Sequence, residues 1–553
     1  MTQPGRTTAR RAEQRDELTK AAYPRLTTEQ LALLAEHGER RSVPGGTVLF
    51  DVNQPRYDFI YIETGAVEII DPASNNVVVH LPAGNFIGEL GMLMGQGTFL
   101  AGAAAEDAEV IVVSNEAILR IVAHIPELSD TIVTAFAARR RLLIEWNEGG
   151  LVIVGDDGNA SCLALREFAS RSRIPHRFVD RTDDAGLATV AQRCQLPKAG
   201  TCAVVGKGEV LVEPTPRDVA AALGLEMAAD PNTLFDLVVI GAGPGGLAAA
   251  VYGASEGLKT LVIDATCIGG QAGTSSRIEN YMGFPTGING TELAFRGEIQ
   301  AVKFGARFCV PHRVTLLRDK RHGFDLELDN GGTAHARALV VAAGVQYRRL
   351  PLERIEEFEG RGIYYAATEL EARLCLGQDV LVVGGGNSAG QAAMYLSRHA
   401  RCTHIAVRAD GLAATMSSYL SDRIHNDPDI KLLTKTEVVA LHGDDKLTGV
   451  TLKDRDTGET KHQPVTALFI MIGAAPNIDW LDGHATLDDK GFIVTGYNGD
   501  PFATRTPGIW AVGDIRSGSV KRVASAVGEG SVVVSSVHRY LAAEDRKQEK
   551  EQV

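Results

Sequence analysis

The 553-residue sequence lacks a long apolar segment, which excludes a simple membrane-spanning helix. No apolar run approaches the roughly 18 residues that such a helix requires. The N-terminus is polar and arginine-rich, without the apolar core of a signal peptide. We therefore predict a cytoplasmic protein with no membrane partner.

An excess of positive charge is also absent, since 56 lysines and arginines stand against 69 acids and give a net charge of −13. A nucleic-acid-binding protein needs a basic surface for the phosphates. We therefore predict no nucleic-acid partner, and we interpret the short basic run Arg139–Arg141 as the solvated end of a helix.

The sequence also lacks closely spaced cysteines. The seven cysteines are scattered at positions 162, 194, 202, 267, 309, 375 and 402, and no two form a C-x-x-C pair. This spacing excludes the simplest zinc and dithiol motifs, so no metal site is predicted, and it suits a reducing compartment.

A glycine-rich turn is the most informative feature that is present. An apolar run at Leu237–Ile240 predicts a buried strand, and Gly241, Gly243 and Gly246 follow it at the spacing of a dinucleotide-binding turn. A helix that begins near Pro244 would direct its unpaired N–H groups and the positive end of its dipole at phosphates. A second strand ends in Asp264, 23 residues beyond Gly241, close to the roughly 20 at which the fingerprint places an acid for ribose hydroxyls.

Short strand-like segments predict a β domain over residues 24–147, after a flexible tail at residues 1–23. The segment Phe86–Gly91 resembles the phosphate-binding cassette of cyclic-nucleotide-binding domains, and Glu89 stands where that family has its ribose-binding glutamate. The family's phosphate-binding arginine has no counterpart, because residues 88–105 contain no arginine or lysine. A phosphate buried without a cation is costly, so a docking or dimerisation module is favoured over cyclic-nucleotide binding.

The hydrophobic pattern of residues 150–228 predicts a second domain with the element order β-α-β-α-β-β-α. This order resembles the thioredoxin or glutaredoxin fold. Asp156–Ser161 replaces that family's dithiol, and a single cysteine, Cys162, follows it. Cys162 and Cys202 could pair in space, but a domain used for packing or protein contact is the preferred interpretation.

The remainder, from Leu234 to the C-terminus, resembles the thioredoxin-reductase family of flavoproteins through several separated motifs. These are the turn at Gly241, the segments Gly269–Ala272 and Ile278–Pro285, a second glycine turn at Val380–Ala389, and Ile509–Asp514. The resemblance implies an FAD-binding domain at residues 234–350 and 465–553 with an NAD(P)-binding domain at residues 351–464. The predicted fold is thus multidomain, with an N-terminal β jelly roll or barrel, an α/β thioredoxin-like domain and two Rossmann-like domains.

The resemblance also assigns cofactor-binding residues. FAD would be held by Gly241, Gly243, Gly246, Asp264, Gly270, Gln271, Asn280, Gly513 and Asp514, with Arg522, Val523 and Ala524 near its ring system. The nicotinamide dinucleotide would be held by Gly384, Gly386, Asn387, Ala389 and Arg408. A cation at Arg408 suits a 2′-phosphate, so NADPH is preferred and NADH stays possible. Only Arg408 matches the family's basic signature, because Val407, Ala409 and Ala413 occupy its other places.

The family's redox dithiol is missing. Its place, just before the second glycine turn, reads Tyr364–Glu371 and contains no cysteine. Cys375 lies beyond this window, Cys267 has no resolving partner nearby in sequence, and Glu369 is most simply a solvated acid at a helix start. No catalytic residue can be assigned.

The predicted function is an FAD-dependent oxidoreductase that passes a hydride from NADPH, or NADH, through flavin to an unidentified small molecule or redox protein. The family resemblance implies a homodimer. The alternative is a flavin-containing redox or cyclic-nucleotide sensor with little turnover, which the fusion of two degenerate domains to the flavoprotein suggests.

Overall fold

The computed structural model describes residues 17–552, except for residues 55, 72–75, 147–150, 158, 193, 206–207, 226–231, 276–277, 360, 366, 368, 413–415, 445, 477 and 482. The strands form separate sheets along the chain. Two of the predicted boundaries change.

The N-terminal domain is built from two four-stranded antiparallel sheets, of order β1-β8-β3-β6 and β2-β7-β4-β5. Its elements are α1 (Thr28–Ala35), β1 (Glu39–Val43), β2 (Val48–Phe50), β3 (Phe59–Thr64), β4 (Ala66–Asp71), β5 (Asn76–Pro82), β6 (Phe86–Ile87), α2 (Leu90–Met94), β7 (Ala101–Ala104), β8 (Ala108–Val113), α3 (Asn115–His124) and α4 (Pro126–Trp146). A capping box between Thr27 and Gln30 starts α1. In the described residues no single helix is long and apolar enough to cross a membrane, although the bent pair α3–α4 meets that length and composition jointly.

The predicted flexible tail is wrong for its last residues. Residues 17–22 are helical, and Ala22 is fully buried against Ala138 and Leu142 of α4. This contact joins residues more than a hundred positions apart, so a local sequence pattern does not reveal it. Residues 1–16 lie outside the described part of the chain.

The middle domain has the predicted element order. Its elements are β9 (Leu151–Gly155), α5 (Ala160–Arg171), β10 (Arg177–Asp180), α6 (Asp184–Ala191), β11 (Cys202–Val205), β12 (Glu209–Val212) and α7 (Pro216–Ala222). The sheet order is β10-β9-β11-β12, with β10 parallel to β9 and the other pairs antiparallel. Asn159 caps α5 by accepting from the N–H groups of Ser161 and Cys162.

The first dinucleotide domain has a mixed sheet around the predicted strand. Its first elements are β13 (Leu234–Ile240), α8 (Pro244–Ser255), β14 (Thr260–Ile263), α9 (Gly290–Lys303), β15 (Arg307–Cys309), β16 (Val314–Lys320), β17 (Gly323–Leu328), β18 (Thr333–Val341) and β19 (Gln346–Tyr347). Strands β15, β14, β13 and β18 are parallel neighbours, while β17 and β16 extend the sheet antiparallel beyond β18. The carboxyl ends of β13 and β14 therefore meet at one edge, where such sheets bind ligands.

The second dinucleotide domain contains a five-stranded parallel sheet, of order β20-β27-β21-β22-β23, and a three-stranded antiparallel sheet, β24-β25-β26. Its elements are α10 (Ile355–Phe358), β20 (Ile363–Tyr364), α11 (Glu369–Leu374), β21 (Asp379–Val383), α12 (Asn387–Leu396), β22 (Cys402–Ala406), α13 (Ser418–Asn426), β23 (Ile430–Leu433), β24 (Thr436–Gly443), β25 (Leu447–Asp454), β26 (Thr460–Pro464) and β27 (Ala467–Ile470).

The predicted boundary at residue 465 is wrong. Strand β27 pairs with β20 and β21 and so belongs to the second domain, not to the FAD-binding domain. All four of its residues are buried, as expected of a strand with parallel neighbours on both sides. The return to the first domain follows it, where β28 (Ala474–Ala475) pairs with β19.

The chain then completes the first domain with β29 (Ile509–Ala511), parallel to β18, and the long helix α14 (Val523–Gln552). Helix α14 packs closely on α8, because Gly530 lies against the backbone of Gly245. A Cβ atom on Gly530 would meet the Gly245 carbonyl oxygen far inside van der Waals contact. Gly528, one half-turn away, has open space at the same point.

We predict that Gly530→Ala destabilises the protein, whereas Gly528→Ala does not. The first substitution forces α14 away from α8, at a cost of about 1–3 kcal/mol. The second gains about 1 kcal/mol of helix propensity in the same helix. Thermal unfolding of both variants measures the difference; equal melting temperatures would contradict the close packing.

Candidate functional site

A cleft of about 760 Å³ lies between the two dinucleotide domains, and both glycine turns contribute residues to it. Gly241 and Gly243 line it from the first domain, and Asn387 and Ser388 line it from the second. The cleft is therefore a single space that residues of both glycine turns line.

The first turn needs glycine for steric reasons. Gly241 has φ of +104°, and any side chain there would collide with the backbone of Ala342. A Cβ atom on Gly246 would collide with the carbonyl oxygen of Gly241, so only glycine lets α8 pack this close to β13. Gly243 is the N-cap of α8 and offers no side-chain hydrogen bond, which leaves the first N–H groups of the helix available to an anion.

Asp264 lies in the cleft at the end of β14, as predicted, and it also holds the turn together. Its Oδ2 accepts a hydrogen bond from the Ala242 N–H at 2.8 Å. Its Oδ1 accepts from the N–H groups of Thr266 and Cys267 at 2.9 and 3.2 Å. The carboxylate is thus fixed next to the phosphate-binding turn, where it can accept from a ribose hydroxyl.

The segment after β14 covers the turn. Gly270 has φ of +53° and packs on Gly243, since a Cβ atom on Gly270 would lie 3.0 Å from the Gly243 Cα. Gln271 donates from Nε2 to the carbonyl of Val345 at 2.6 Å, and Asn280 lines the same cleft with an exposed side chain. All three predicted residues of this region therefore meet at one site.

The C-terminal motif also reaches the cleft, which Gly513, Asp514, Arg522 and Val523 line together. Burial raises the pKa of the Asp514 carboxyl, and Lys521 offsets part of that effect. Ala524 does not line the cleft.

Glu529 on α14 is a positioning residue that the sequence motifs did not single out. Its Oε2 accepts from the Gly513 N–H at 2.6 Å, and Arg516 donates to both of its oxygens. One helical turn of α14 thus fixes the backbone immediately before Asp514. No local pattern signals this role, because it depends on packing between α14 and the end of β29.

The second turn repeats the geometry of the first. Gly384 has φ of +143°, and a side chain there would collide with the carbonyl of Met471. Gly386 is the N-cap of α12 without a side-chain hydrogen bond, and Ala389 is buried beside Gly384. Asn387 lines the cleft and accepts from the Ser417 N–H at 2.8 Å.

Arg408 follows β22 and is exposed, but it does not line the cleft. Arg455 donates to its carbonyl oxygen at 3.1 Å. Ala413, the last place of the predicted basic signature, lies outside the described residues. The role of Arg408 toward a 2′-phosphate therefore stays a prediction.

The cysteines offer no reactive thiol at this cleft. All seven are free, and Cys267 is 3% exposed, with its pKa raised to about 11 by burial. Burial likewise raises the pKa of Cys375 to about 12. Cys162 and Cys202 face opposite sides of the middle sheet, in two separate apolar clusters, so the pairing considered from the sequence is wrong.

The window that would carry the dithiol contributes Tyr365 and Ala367 to the cleft. Tyr365 donates from its hydroxyl to Glu359 at 2.5 Å, and burial, together with this hydrogen bond, raises the pKa of Tyr365. Glu369 begins α11, and its side chain lies outside the described residues.

Comparison with known proteins decides the family. The protein-family model described as pyridine nucleotide-disulphide oxidoreductase matches residues 235–530, more than half of the chain. This chain belongs to the pyridine nucleotide-disulphide oxidoreductase family. It is an NAD(P)H-dependent flavoprotein oxidoreductase, and the thioredoxin-reductase group that it resembles uses FAD and NADPH.

Individual relatives cover the same region. The thioredoxin reductase of Streptomyces clavuligerus is 36% identical over 310 residues, which are 56% of this chain and 94% of the relative. Crystal structures of the thioredoxin reductases of Lactococcus lactis and T. acidophilum align with TM-scores of 0.53 and 0.52, at 28% and 31% identity. Each alignment covers 56% of this chain and 99% of the structure.

The residues of this oxidoreductase fit two dinucleotides. Two helix N-termini without side-chain caps, those of α8 and α12, open on one cleft. The close approach of Gly270 to Gly243 makes a cradle that a Cβ atom would fill. FAD would be held by the first domain and NADPH by the second.

A second match, to the cyclic nucleotide-binding domain model, covers residues 40–124. In this domain Glu89 is already engaged, because Arg140 of α4 donates to both of its oxygens at 2.8–3.1 Å. The adjoining cavity measures about 70 Å³, well below the roughly 300 Å³ of small ligand pockets. Glu89 is therefore paired with an arginine of the protein itself, beside a cavity too small for a nucleotide.

The interpretation of Arg139–Arg141 as a solvated helix end is wrong for its first two residues. Arg139 and Arg140 are 7% and 2% exposed. Arg139 donates to the carbonyls of Ala22 and Gly88, while Arg140 pairs with Glu89. Charged side chains are buried when they find partners, and these partners lie 50 or more residues away, where sequence reasoning did not find them.

The charge of Arg140 also acts on a buried glutamate of the oxidoreductase domain. Glu298 of α9 is 9% exposed, and burial raises the pKa of its carboxyl to about 7 even though Arg140 and Arg173 lower it. This folded pKa lies above the ordinary value of 4.5. The folded protein therefore binds the proton of Glu298 more tightly than the unfolded chain does.

We predict that Glu298→Gln stabilises the protein at pH 8 and has little effect at pH 4.5. Wild type loses stability as the pH rises from about 4.5 to 7, because the unfolded chain releases the Glu298 proton in this range while the buried carboxyl of the folded state keeps it; the loss is about 3 kcal/mol. Glutamine removes this dependence.

Thermal unfolding of wild type, Glu298→Gln and the exposed-site control Glu549→Gln at the two pH values measures the effect. The control is expected to follow wild type. A Glu298→Gln variant less stable than wild type at pH 8 would show that the ionised glutamate is favourably paired.

Proposed function

We propose that the protein transfers electrons from NADPH through FAD to an acceptor outside the chain, without a redox dithiol of its own. One observation carries this proposal. Both dinucleotide turns open on the same cleft, and no cysteine is among the described residues that line it.

The proposed binding roles follow from the positions given above. For FAD they are Gly241, Gly243, Gly246, Asp264, Gly270, Gln271, Asn280, Gly513, Asp514, Arg522 and Val523; for NADPH they are Gly384, Gly386, Asn387, Ala389 and Arg408. Bound FAD would supply the electron-transfer chemistry. The chain itself contributes positioning, since two helix N-termini would bind diphosphates and Asp264 and Asp514 would accept from hydroxyl groups.

The acceptor is proposed to be a small molecule or a small redox protein. The relatives carry the name thioredoxin reductase, but their disulfide chemistry has no support in this chain's cysteines. A buried thiol of raised pKa is a poor nucleophile at neutral pH, because the thiolate is the reactive form. A homodimer and a cytoplasmic location stay predictions.

The first two domains are proposed to be a jelly roll and a thioredoxin-like domain. Two facing antiparallel sheets support the first, and the sheet order β10-β9-β11-β12 supports the second. Both are proposed to serve packing and protein contact. Glu89 is paired internally and Cys162 is buried, with its pKa raised to about 12, so neither offers its family's chemistry.

Purified protein is expected to be yellow and to bleach when NADPH is added without oxygen. Reoxidation is then followed with oxygen, quinones, ferredoxin and thioredoxin as separate acceptors. We expect turnover with at least one of these acceptors. We expect no turnover with an acceptor whose reduction requires a dithiol in the enzyme. A protein that stays colourless after FAD is supplied would contradict the enzyme proposal, and bleaching without turnover with any acceptor would favour the sensor alternative.

Cyclic AMP and cyclic GMP are expected not to bind the full chain. Calorimetry should give no dissociation constant below about 1 mM, because a ligand would have to displace Arg140 from Glu89 and enlarge a small cavity. The matched readout is the NADPH oxidation rate, which should be the same with and without cyclic nucleotide. Micromolar binding would restore the sensor alternative.

A further inference from the structure

The middle domain contributes a side chain to the cleft of the oxidoreductase. Arg171, the last residue of α5, lines the cleft together with Gly243, Asp264 and Gly270. Its Nη2 donates to the carbonyl oxygen of Gly270 at 2.9 Å, and its Nη1 lies 3.4 Å from Glu167 on its own helix. Its side chain is 21% exposed.

This contact places a positive charge next to the first dinucleotide turn. Gly270 packs directly on Gly243. The guanidinium of Arg171 therefore contacts a residue that itself contacts the turn proposed to face a diphosphate. The turn itself has no cation, because Gly241–Gly246 contains no lysine or arginine. The field of Arg171 reaches the end of β14 as well, where it partly offsets the raised pKa of Cys267.

A second arginine fixes the end of α5 on the oxidoreductase domain. Arg173 donates to Glu292 of α9 at 2.8 Å, and its guanidinium lies 4.0 Å from the ring centroid of Phe295. Helix α9 is in turn tied to the loop after Gly270, because the Thr291 hydroxyl donates to the Gly273 carbonyl at 2.8 Å. Arg171 is therefore held against this loop by contacts on both sides.

We propose that Arg171 is an FAD-binding residue supplied by the middle domain, which contacts the diphosphate and fixes the Gly270 loop. This inference rests on FAD binding in the cleft and goes beyond it: the middle domain, without a dithiol, completes the cofactor site. Arginine suits the task because its donors can serve a carbonyl and a phosphate together.

The test compares Arg171→Ala with Arg166→Ala in the full chain. Arg166 lies on the same helix, but it pairs with Asp157 and lies over Phe178 within the middle domain. FAD is removed, and rebinding is followed by quenching of flavin fluorescence. Arg171→Ala is expected to raise the dissociation constant about tenfold or more, the effect of losing a charge-assisted hydrogen bond, and Arg166→Ala is expected to leave it unchanged.

Competition of ADP and adenosine against FAD separates direct contact from a structural effect. If Arg171 binds the diphosphate, Arg171→Ala weakens ADP about tenfold and adenosine less than about twofold. An equal loss for both competitors, or no loss for either, would overturn the proposal. Failure of the wild-type apoprotein to bind FAD would instead contradict the flavoprotein assignment, so the two failures are distinguishable.

Discussion

The close approach of two backbones at the first glycine turn is the constraint on which the rest of the flavin site depends. Helix α8 can begin beside β13 only because Gly246 has no side chain to collide with Gly241. That approach directs the N–H groups of α8 into the cleft. A second close approach, of Gly530 to Gly245, brings α14 onto α8, and α14 then places Glu529 against Gly513. Two glycine contacts thus connect the start and the end of the oxidoreductase region at one site.

The local parts of this arrangement can be predicted from sequence. Gly241, Gly384 and Asp264 stand in short patterns whose spacing is set by the geometry of a strand, a turn and a helix. The order of elements in the middle domain is equally readable, because each strand and helix there has its own periodicity. These features depend on residues that are neighbours in the chain.

The parts that escaped prediction depend on distant contacts. Arg139 and Arg140 belong to a charged run that the sequence predicts to be solvated. The structure buries them because Arg139 donates to Gly88 and Arg140 pairs with Glu89. Strand β27 looks like the start of the returning domain until its pairing with β21 is known. Glu529 and Arg171 carry no local signature at all, since one acts across a helix contact and the other across a domain boundary.

The chemistry of the cleft departs from that of a disulfide reductase at one place. Residues of both turns, Asp264 and Asp514 line one cleft, and Tyr365 and Ala367 line it from the region where the family's dithiol is missing. Bound flavin would then be the one redox group of each chain. Anaerobic reductive titration of the purified protein, followed by flavin absorbance and a thiol count, measures this directly. We predict two electrons per flavin with no new thiols; four electrons per flavin, with two thiols appearing, would contradict this prediction.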